Sequence, residues 1–426
     1  MLTEDAFASL THYWNNGMKE FFKVTDLKKV IEYRAEFPQV QTEEIPLVET
    51  VGRILAENIF ADVDLPDFPR AIVDGYALQG ASTFGASEGN PAFLTVTGSV
   101  AMGESPEITI GPGEAVRIAT GGMLPQGANS VVMIEHTEAI DDATIEVYRS
   151  VAPGQNMIAI GEDIKNKSRM LMQGQTIRPQ EAGLLAALGK QTVTVFQRPV
   201  IGIISTGDEI IPITEAPTLG QIRDINTYTL TGLIHEAGAQ AVSFGIVRDD
   251  FETLFEKCKQ ALDQCDMILI SGGSSVGARD FTVDVLSALP DAKILVHGIS
   301  ISPGKPTILA KVQNKAVWGM PGHVVSSMIV FSRVVKPFVE HFSGQTRKPE
   351  KEHRISAILS RNLASTQGRV DFIRVRLRRE EGRLWADPVL GKSGLISTMV
   401  LADGLLEIDI NTEGLDKGDR VKIIPL

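Results

Sequence analysis

The sequence has few of the features that mark membrane or metal-thiolate proteins. Its two cysteines, Cys258 and Cys265, fall on the apolar face of one predicted helix, which predicts buried core thiols and not metal ligands or a redox pair. No apolar run reaches the roughly 20 residues that span a bilayer, and Glu4 and Asp5 are acidic where a signal peptide would be basic. We therefore expect a cytoplasmic protein with no membrane partner.

Positive charge is also scarce. The chain has 41 Lys and Arg against 53 Asp and Glu, a formal net charge of −12. Binding nucleic acid over a broad surface requires clustered Lys and Arg, so we expect no nucleic-acid partner. A small anion would need a local site with donors or a bridging cation, because the overall field repels it.

The length of 426 residues predicts about three domains, and 43% hydrophobic residues suffice for real cores. Residues 1–62 read mainly as helix, with Thr25 and Asp26 as candidate caps. Residues 63–160 contain short β-prone runs separated by Gly and Pro, which predicts a small β-rich domain. A helix with Pro179 near its start and Gly189 past its end follows.

From residue 200 the pattern becomes α/β. Helices, including one that begins at Asn226, alternate with predicted strands, which is typical of a mostly parallel sheet. After residues 347–352 the pattern returns to β and predicts a separate C-terminal domain. The predicted strands of the α/β part are 200–205, 241–247, 267–270 and 293–301.

Polar residues follow the strands of the α/β part, where ligands bind in open parallel sheets. Residues 271–277 read Ser-Gly-Gly-Ser-Ser-Val-Gly, and glycines there let backbone N–H groups approach an anion. An ordinary strand-to-helix turn would also use Gly and Ser. Carboxylates add weight to the functional interpretation, because an anion among acids needs a divalent cation such as Mg²⁺. Those acids are Asp208, Glu209, Asp249 and Asp280, although each alone is typical of a helix cap or a solvated turn.

Common nucleotide and zinc motifs are absent from the sequence, which disfavours a Walker NTPase, a dinucleotide-binding fold and a zincin. His323 lies at a predicted strand end, where a loop hydrogen bond competes with a site role. Arg374, Arg376 and Arg378 alternate along a predicted strand. They are more typical of a solvated face, although Arg374 could donate to an oxyanion.

Several strings together resemble the MoeA and gephyrin E-domain family, the molybdopterin molybdenumtransferases. They occur in family order along nearly the whole chain. The strings are Val-Asp-Gly-Tyr-Ala at 73–77, Arg-Ile-Ala-Thr-Gly at 117–121, Gly-Glu-Asp-Ile at 161–164, Ser-Thr-Gly-Asp-Glu at 205–209, Ser-Gly-Gly-x-Ser-Val-Gly at 271–277, Pro-Gly-Lys-Pro at 303–306 and Gly-Lys-Ser-Gly at 391–394.

The resemblance implies a homodimer that cleaves adenylylated molybdopterin with Mg²⁺ and molybdate, leaves the metal on the dithiolene and releases AMP. It also implies contact with the adenylyltransferase of the same pathway and with acceptor apoenzymes. Carried over by motif, the catalytic residues are Glu209, Asp249, Asp280, Asp74 and Thr120, of which the first three also hold Mg²⁺. The cofactor-binding residues are Ser271, Gly272, Gly273, Ser275, Pro303, Gly304, Lys305, Asp163, Arg374 and Ser393.

The resemblance also implies a fold class and four domains. The fold is an α/β central domain with a mostly parallel, three-layer sheet, joined to an N-terminal helical part, an inserted β domain and a C-terminal β-barrel-like domain. The expected boundaries are 1–62 plus 159–196 for a discontinuous N-terminal domain, 63–158 for the insert, 197–345 for the molybdopterin-binding domain and 346–426 for the last domain.

The chain departs from the family pattern at three places. Ser302 and Gly298 stand where many members have lysines, so two cations are missing near the oxyanion. His323 lies in Pro-Gly-His-Val-Val where Pro-Gly-Asn-Pro-Val is usual, and Val73 replaces a common Met. At an effective dielectric of 20 a charge 4 Å from an anion is worth about 4 kcal/mol, so these losses bear on anion choice.

Three alternatives remain open from the sequence. A close variant would insert tungstate, whose dianion is nearly the size of molybdate. A non-catalytic pterin carrier or scaffold would have little reason to keep the acid cluster. An unrelated Mg²⁺-dependent phosphohydrolase would act on generic nucleotides without an oxyanion.

Overall fold

The computed structural model describes residues 24–272, 281–346 and 353–426. The chain divides into two compact units, and the second is an insertion in the sequence of the first. The first contains the chain up to Ala56, Gly174–Pro179 and Thr192–Leu426, and the second contains Glu57–Gln173 and Gln180–Gln191. None of the helices in these described ranges is long and apolar enough to cross a bilayer.

A six-stranded sheet forms the centre of the first unit. Its first four strands pair in parallel, and of the six only Ile308–Val312 runs in the opposite direction, so the mostly parallel sheet predicted from the sequence is confirmed. The inner strand Met267–Ser271 is buried along its whole length, as expected where both faces are covered. In sheet order the strands are Gln240–Val247, Val200–Thr206, Met267–Ser271, Lys315–Met320, Ile308–Val312 and Ala292–His297.

Two hydrophobic clusters lie on opposite faces of this sheet, which makes the domain three-layered. On one face Trp318 packs against Phe338 with ring centroids 4.9 Å apart in a T-shaped arrangement. The other face holds Cys258 and Cys265, both buried and free, so the prediction of core thiols is confirmed. Burial raises the pKa of Cys258 to about 12 and that of Cys265 to about 11, which makes both thiols unreactive.

The helices that cover the sheet begin and end much as the sequence predicts. The helix Asn226–Glu236 buries Leu230 and Ile234, and Gly238 follows it with φ +81°. Asp250 caps the next helix, since its carboxylate accepts a hydrogen bond from the Thr253 N–H. Within the described ranges the α-helices of the first unit are Leu27–Glu32, Asn226–Glu236, Phe251–Gln264, Phe281–Ala288, Val324–Val330, Lys336–Phe342 and Ser397–Val400, with a π-helical turn at Phe331–Val335.

Two sequence predictions of secondary structure were wrong. Residues 24–62 are not mainly helical, because only Leu27–Glu32 is an α-helix and Thr42–Pro46 is a strand paired with Thr192–Phe196. Asp26 does cap that helix, and its carboxylate accepts from the Lys28 N–H. The predicted strand 293–301 ends at His297, and Ile301–Ser302 joins a different sheet. Both errors arise because sequence-distant pairing decides where these segments lie.

The C-terminal part of the first unit is a five-stranded barrel, which confirms the predicted β domain. Val370–Glu380 pairs with the strands on both its sides and so closes the ring. Ile301–Ser302 adds to it in parallel, next to Val370–Asp371. The barrel strands are, in order, Val370–Glu380, Arg383–Pro388, Ile355–Leu359, Arg420–Pro425 and Gly404–Ile408, and a short pair joins Leu363–Ala364 to Gly414–Leu415.

The second unit is β-rich, as the runs of residues 63–160 predict. A six-stranded sheet buries two small hydrophobic clusters. Two further pairs join Arg70–Ala71 to Met157–Ile158 and Ile59–Phe60 to Arg169–Leu171. Helix Pro179–Ala187 follows these pairs. The strands of the sheet are, in order, Ser130–Met133, Gly75–Leu78, Glu114–Ile118, Ala92–Val100, Thr144–Val147 and Thr137–Ala139.

The aromatic contact in the first unit predicts a large stability effect. Phe338→Ala should lower the free energy of unfolding of that unit by about 3–5 kcal/mol, because it leaves a cavity beside the fully buried Trp318. Urea unfolding followed by tryptophan fluorescence measures the loss. Leu219→Ala, at a fully exposed leucine of the same unit, is the control and should change stability by less than about 0.5 kcal/mol. Equal effects of the two variants would contradict this packing.

Candidate active site

A cleft of about 1350 Å³ opens at the edge where the parallel strands end. Thr206, Ser271 and Met320 are the last residues of three adjacent strands, so the loops that follow them meet at one edge. The C-terminal barrel contributes residues 367–369 and 393–394 to the same cleft. Of the predicted site residues it brings together Glu209, Asp249, Ser271, Gly272, Pro303, Gly304, Lys305 and Ser393.

The remaining predicted residues lie elsewhere. Gly273, Ser275 and Asp280 lie outside the described residues. The second unit contains Asp74, Thr120 and Asp163. Arg374 is buried in the barrel and does not line the cleft.

Carboxylates line one part of the cleft. Asp249 accepts a 2.6 Å hydrogen bond from the Thr206 hydroxyl through Oδ1, and its backbone N–H donates to Asp208 at 3.4 Å. Glu209 is exposed beside them. Their oxygens are the donor type that Mg²⁺ prefers. Within the part of the chain that the structure describes, no three His, Cys, Asp or Glu residues are close enough to hold a metal. The Mg²⁺ site therefore stays a prediction.

Backbone crowding at the strand end explains the glycine after Ser271. Gly272 has φ +117°, and a Cβ there would lie 2.1 Å from the Thr206 carbonyl oxygen. No side chain fits at this distance, so the backbone itself forms the cleft wall. A ligand can thus approach main-chain atoms directly, as the anion-binding interpretation requires.

Asn226 is a cleft residue that the sequence analysis identified only as a helix start. It is 8% exposed, and its Nδ2 donates to Ser271 Oγ at 2.6 Å and to the Gly322 carbonyl at 2.8 Å. Among the described residues its Oδ1 has no hydrogen-bond partner. The side chain therefore joins two strand ends, and its acceptor oxygen is buried. Its position at a strand-to-helix junction was the only signal available.

Arg374 differs from its neighbours on the same strand. It is 7% exposed, whereas Arg376 and Arg378 are exposed, so the solvated-face interpretation was wrong for Arg374 alone. Its Nη2 donates to the Gly391 carbonyl at 2.8 Å, and its Nε and Nη1 have no partner within the described ranges. Burial lowers the pKa of the guanidinium. Arg374 thus supports the barrel segment that carries Ser393.

His323 makes the contact that joins this segment to the α/β domain. Its Nδ1 lies 2.8 Å from Ser393 Oγ, and the Val325 N–H donates to the Ser393 carbonyl at 3.0 Å. The imidazole is exposed in the cleft. A loop hydrogen bond and a place in the site, the two alternatives from the sequence, are therefore both present.

Asp74 and Thr120 form a pair in the second unit. Asp74 Oδ1 accepts from the Thr120 N–H at 2.7 Å and from its hydroxyl at 2.8 Å. The backbone bond and then the hydroxyl bond lower the pKa of Asp74. Asp163 in the same unit is exposed, and its backbone N–H donates to the Leu65 carbonyl.

Family models match three consecutive parts of the chain. They are the MoeA N-terminal region (domain I and II) at residues 23–189, a probable molybdopterin binding domain at 202–341 and the MoeA C-terminal region (domain IV) at 356–426.

Individual relatives are similar over most of their length. A putative molybdopterin biosynthesis protein of Methanocaldococcus jannaschii is 38% identical over 405 residues, 93% of this chain and 94% of that protein. The molybdopterin molybdenumtransferase of Haemophilus influenzae is 33% identical over 91% of this chain and 95% of its own. A crystal structure of a MoeA protein from Pyrococcus horikoshii has a TM-score of 0.79 at 36% identity, covering 95% of this chain and 99% of that one.

The architecture is that of a multidomain protein in which a mostly parallel α/β domain and a β-barrel share a polar cleft. The chain is similar to MoeA and molybdopterin biosynthesis proteins over more than 90% of its length. The chain belongs to the MoeA family.

The crowding at Gly272 predicts a specific stability loss. Gly272→Ala and Gly245→Ala both place a side chain at positive φ, which costs on the order of 1–2 kcal/mol. Only Gly272→Ala also drives a Cβ into a carbonyl, so it should lose roughly 1–3 kcal/mol more. Gly245 has open space around it and serves as the matched control. Urea titration measures both variants, and equal losses would contradict the close approach.

The hydrogen bonds to Asp74 predict how its titration responds to substitution. Thr120→Val removes the hydroxyl donor and keeps the N–H donor, so the pKa of Asp74 should rise part of the way to its ordinary value. Carboxyl NMR over a pH series measures it. Because the bonds favour the ionised form, their stabilisation is present above the unfolded pKa and is lost as pH falls through the folded pKa. Thr97→Val, which removes a bond to the Ala115 carbonyl, should leave Asp74 unchanged.

Proposed function

We propose that this protein is a molybdopterin molybdenumtransferase of molybdenum cofactor biosynthesis. It takes adenylylated molybdopterin and molybdate, cleaves the adenylate with Mg²⁺ and releases AMP. The observation that carries the proposal is the cleft, where the carboxylates Glu209 and Asp249 and the backbone at Ser271–Gly272 share one sheet edge. The named relatives support the same assignment.

The cleft has the size and chemistry for a phosphorylated pterin. A volume of about 1350 Å³ exceeds that of an ordinary drug-sized site, so it can hold a ligand with pterin, phosphate and nucleotide parts. The Ser271–Gly272 backbone would receive a phosphate, with Lys305 as a cation on the loop before strand Ile308–Val312. Ser302, Pro303 and Ser393 lie on the side of the cleft toward the barrel, where the oxyanion would bind.

The acids have distinct tasks in this proposal. When bound, Mg²⁺ would neutralise phosphate charge and act as a Lewis acid on the phosphoanhydride. The Thr206 hydroxyl occupies Asp249 Oδ1, which orients the carboxylate and leaves Oδ2 for the cation. Glu209 would complete the ligand set with Asp280. In the cleavage step an incoming oxygen forms a bond to the pterin-side phosphorus while the phosphorus–oxygen bond to AMP breaks. AMP leaves with the electron pair of the broken bond.

The second unit would act across a homodimer. Asp74, Thr120 and Asp163 match family site positions but belong to the second unit. The hydrogen bonds from Thr120 keep Asp74 ionised, as expected for a residue that binds a cation or a donor. In the proposed dimer a partner subunit brings these residues to the cleft. Location in the cytoplasm, and contact with the adenylyltransferase and acceptor apoenzymes, belong to the same proposal.

Substitution of one acid tests the proposal. Purified protein is incubated with adenylylated molybdopterin, Mg²⁺ and molybdate or tungstate, and AMP is measured. Asp249→Asn should reduce AMP release on the order of 100-fold or more, because it weakens the Mg²⁺ site. Asp250→Asn is the matched control, since Asp250 caps a helix outside the cleft and Asn caps equally well.

The same assay separates the alternatives. AMP release with tungstate but not molybdate would indicate the tungsten variant. Binding of the pterin without AMP release from either oxyanion would indicate a carrier. Release from generic nucleotides without an oxyanion would indicate a phosphohydrolase, and equal activity of Asp249→Asn and the wild type would refute the assigned role of the acid.

A further inference from the structure

The side chain of His323 does not serve the helix that this residue begins. His323 is the N-cap of helix Val324–Val330, and its carbonyl accepts a hydrogen bond from the Ser327 N–H at 2.9 Å. An N-cap side chain commonly accepts a hydrogen bond from the first turn, but the imidazole makes no such bond. The helix therefore fixes the backbone of His323 and leaves its ring for another contact.

That contact is with the barrel. His323 Nδ1 lies 2.8 Å from Ser393 Oγ. A Cβ on Gly394 would lie 3.8 Å from His323 Cδ2, so the ring lies alongside this barrel segment. Within the described ranges His323 Nε2 has no hydrogen-bond partner. The bond to Ser393 is thus the polar contact that decides which ring nitrogen carries the hydrogen.

Ser393 is held by the α/β domain at two points. The Val325 N–H donates to its carbonyl at 3.0 Å, and His323 Nδ1 contacts its hydroxyl. Ser393 is half-buried and lines the cleft together with His323. The position of the hydroxyl oxygen is therefore restrained, and the direction of its hydrogen is what remains to be set.

Two arrangements of the hydrogens are possible between His323 and Ser393. If Nδ1 accepts, the hydroxyl hydrogen points to the imidazole, and Ser393 presents only lone pairs to the cleft, which repel an anion. If Nδ1 carries a hydrogen and donates to Oγ, the hydroxyl hydrogen is available to an anion. An anion on this side of the cleft therefore favours the second arrangement.

A second serine of the cleft already has the corresponding arrangement. Asn226 Nδ2 donates to Ser271 Oγ at 2.6 Å. An amide nitrogen can only donate, so the Ser271 hydroxyl keeps its hydrogen for another acceptor. His323 stands to Ser393 as Asn226 stands to Ser271, with the difference that the imidazole must carry its hydrogen on Nδ1.

We propose that His323 is a positioning residue whose Nδ1–H donates to Ser393 Oγ and so directs the Ser393 hydroxyl hydrogen to an oxyanion in the cleft. The inference rests on the proposed function, which places the oxyanion on the side of the cleft where Ser393 lies. Ser393 makes the contact with the oxyanion, and His323 acts through Ser393 and not through its own charge.

Direct binding of the oxyanion tests the inference without turnover. Full-length protein is dialysed to equilibrium against molybdate and, separately, tungstate, and bound metal is quantified by mass spectrometry. His323→Ala should weaken the oxyanion Kd by about 3- to 10-fold, because Ser393 loses the donor that orients its hydroxyl. His235→Ala removes an exposed histidine of the same unit outside the cleft and should change the Kd by less than about twofold.

A double-mutant cycle shows whether His323 acts through Ser393. Ser393→Ala removes the hydroxyl and should weaken the oxyanion Kd by about 10- to 100-fold. In the Ser393→Ala background, His323→Ala should change the Kd by less than about twofold further, since no hydroxyl is left to orient. Direct attraction between the imidazole and the oxyanion would survive in that background and make the two effects additive.

Two further measurements on His323→Ala separate positioning from a general structural role. The urea midpoint should match that of the wild type, because the side chain is exposed and does not cap the helix. The Kd for adenylylated molybdopterin without an oxyanion should stay within about twofold of the wild-type value. A lowered midpoint, or equal weakening of pterin and oxyanion binding, would overturn the positioning role.

The remaining outcomes separate the inference from the proposed function. Wild-type protein that binds neither oxyanion, even with adenylylated molybdopterin present, would contradict the proposed function. An unchanged Kd in Ser393→Ala would contradict the proposed place of the oxyanion. An unchanged Kd in His323→Ala alone, or additive effects in the cycle, would overturn the inference about His323 and leave the proposed function intact.

Discussion

The parallel register of three adjacent strands is the constraint on which the site depends. Ser205 lies opposite Ser271, and Ser271 lies opposite Met320, so three strands end at the same level. The loops that follow the three strands then share one edge. Residue 272 must be a glycine, because a Cβ there would lie 2.1 Å from the Thr206 carbonyl oxygen. A shift of one residue in either pairing would reverse every side chain and bury the polar loops. The position of the cleft is therefore set by the strand register, and the side chains determine only its chemistry.

The cleft combines charges that would otherwise oppose each other. A chain of net charge −12 places Glu209 and Asp249 where an anionic ligand is expected to bind. A cation that lies between carboxylates and a phosphate removes the repulsion between them. Cationic side chains elsewhere in the cleft would attract the oxyanion. In this structure the acids follow the α/β strands, while Ser393 and Arg369 come from the barrel. The two domains of the first unit thus contribute side chains of different charge to the cleft.

Much of the fold could be predicted from the sequence because its signals are local. Continuous apolar runs marked the buried strands, and residues such as Asp26, Pro179 and Gly238 marked helix ends. The segments predicted wrongly are those whose state is set by distant partners. Thr42–Pro46 is a strand because Thr192–Phe196 lies beside it, and Ile301–Ser302 leaves the α/β domain because the barrel strand pairs with it.

The same distinction applies to the site. Acids and glycines directly after strands could be found from the sequence, since their position carries the signal. Asn226 could not, because it matters through a bond to Ser271, which lies 45 residues further along the chain. A comparison of single positions shows Ser302 as a lost cation. In three dimensions the residue opposite Ser302 on the barrel strand is Asp371, a buried carboxylate that would be costly to keep without Arg369, whose Nε lies 2.8 Å from it. The charges around a position are set by the segments that the fold places beside it, and these come from a different part of the chain.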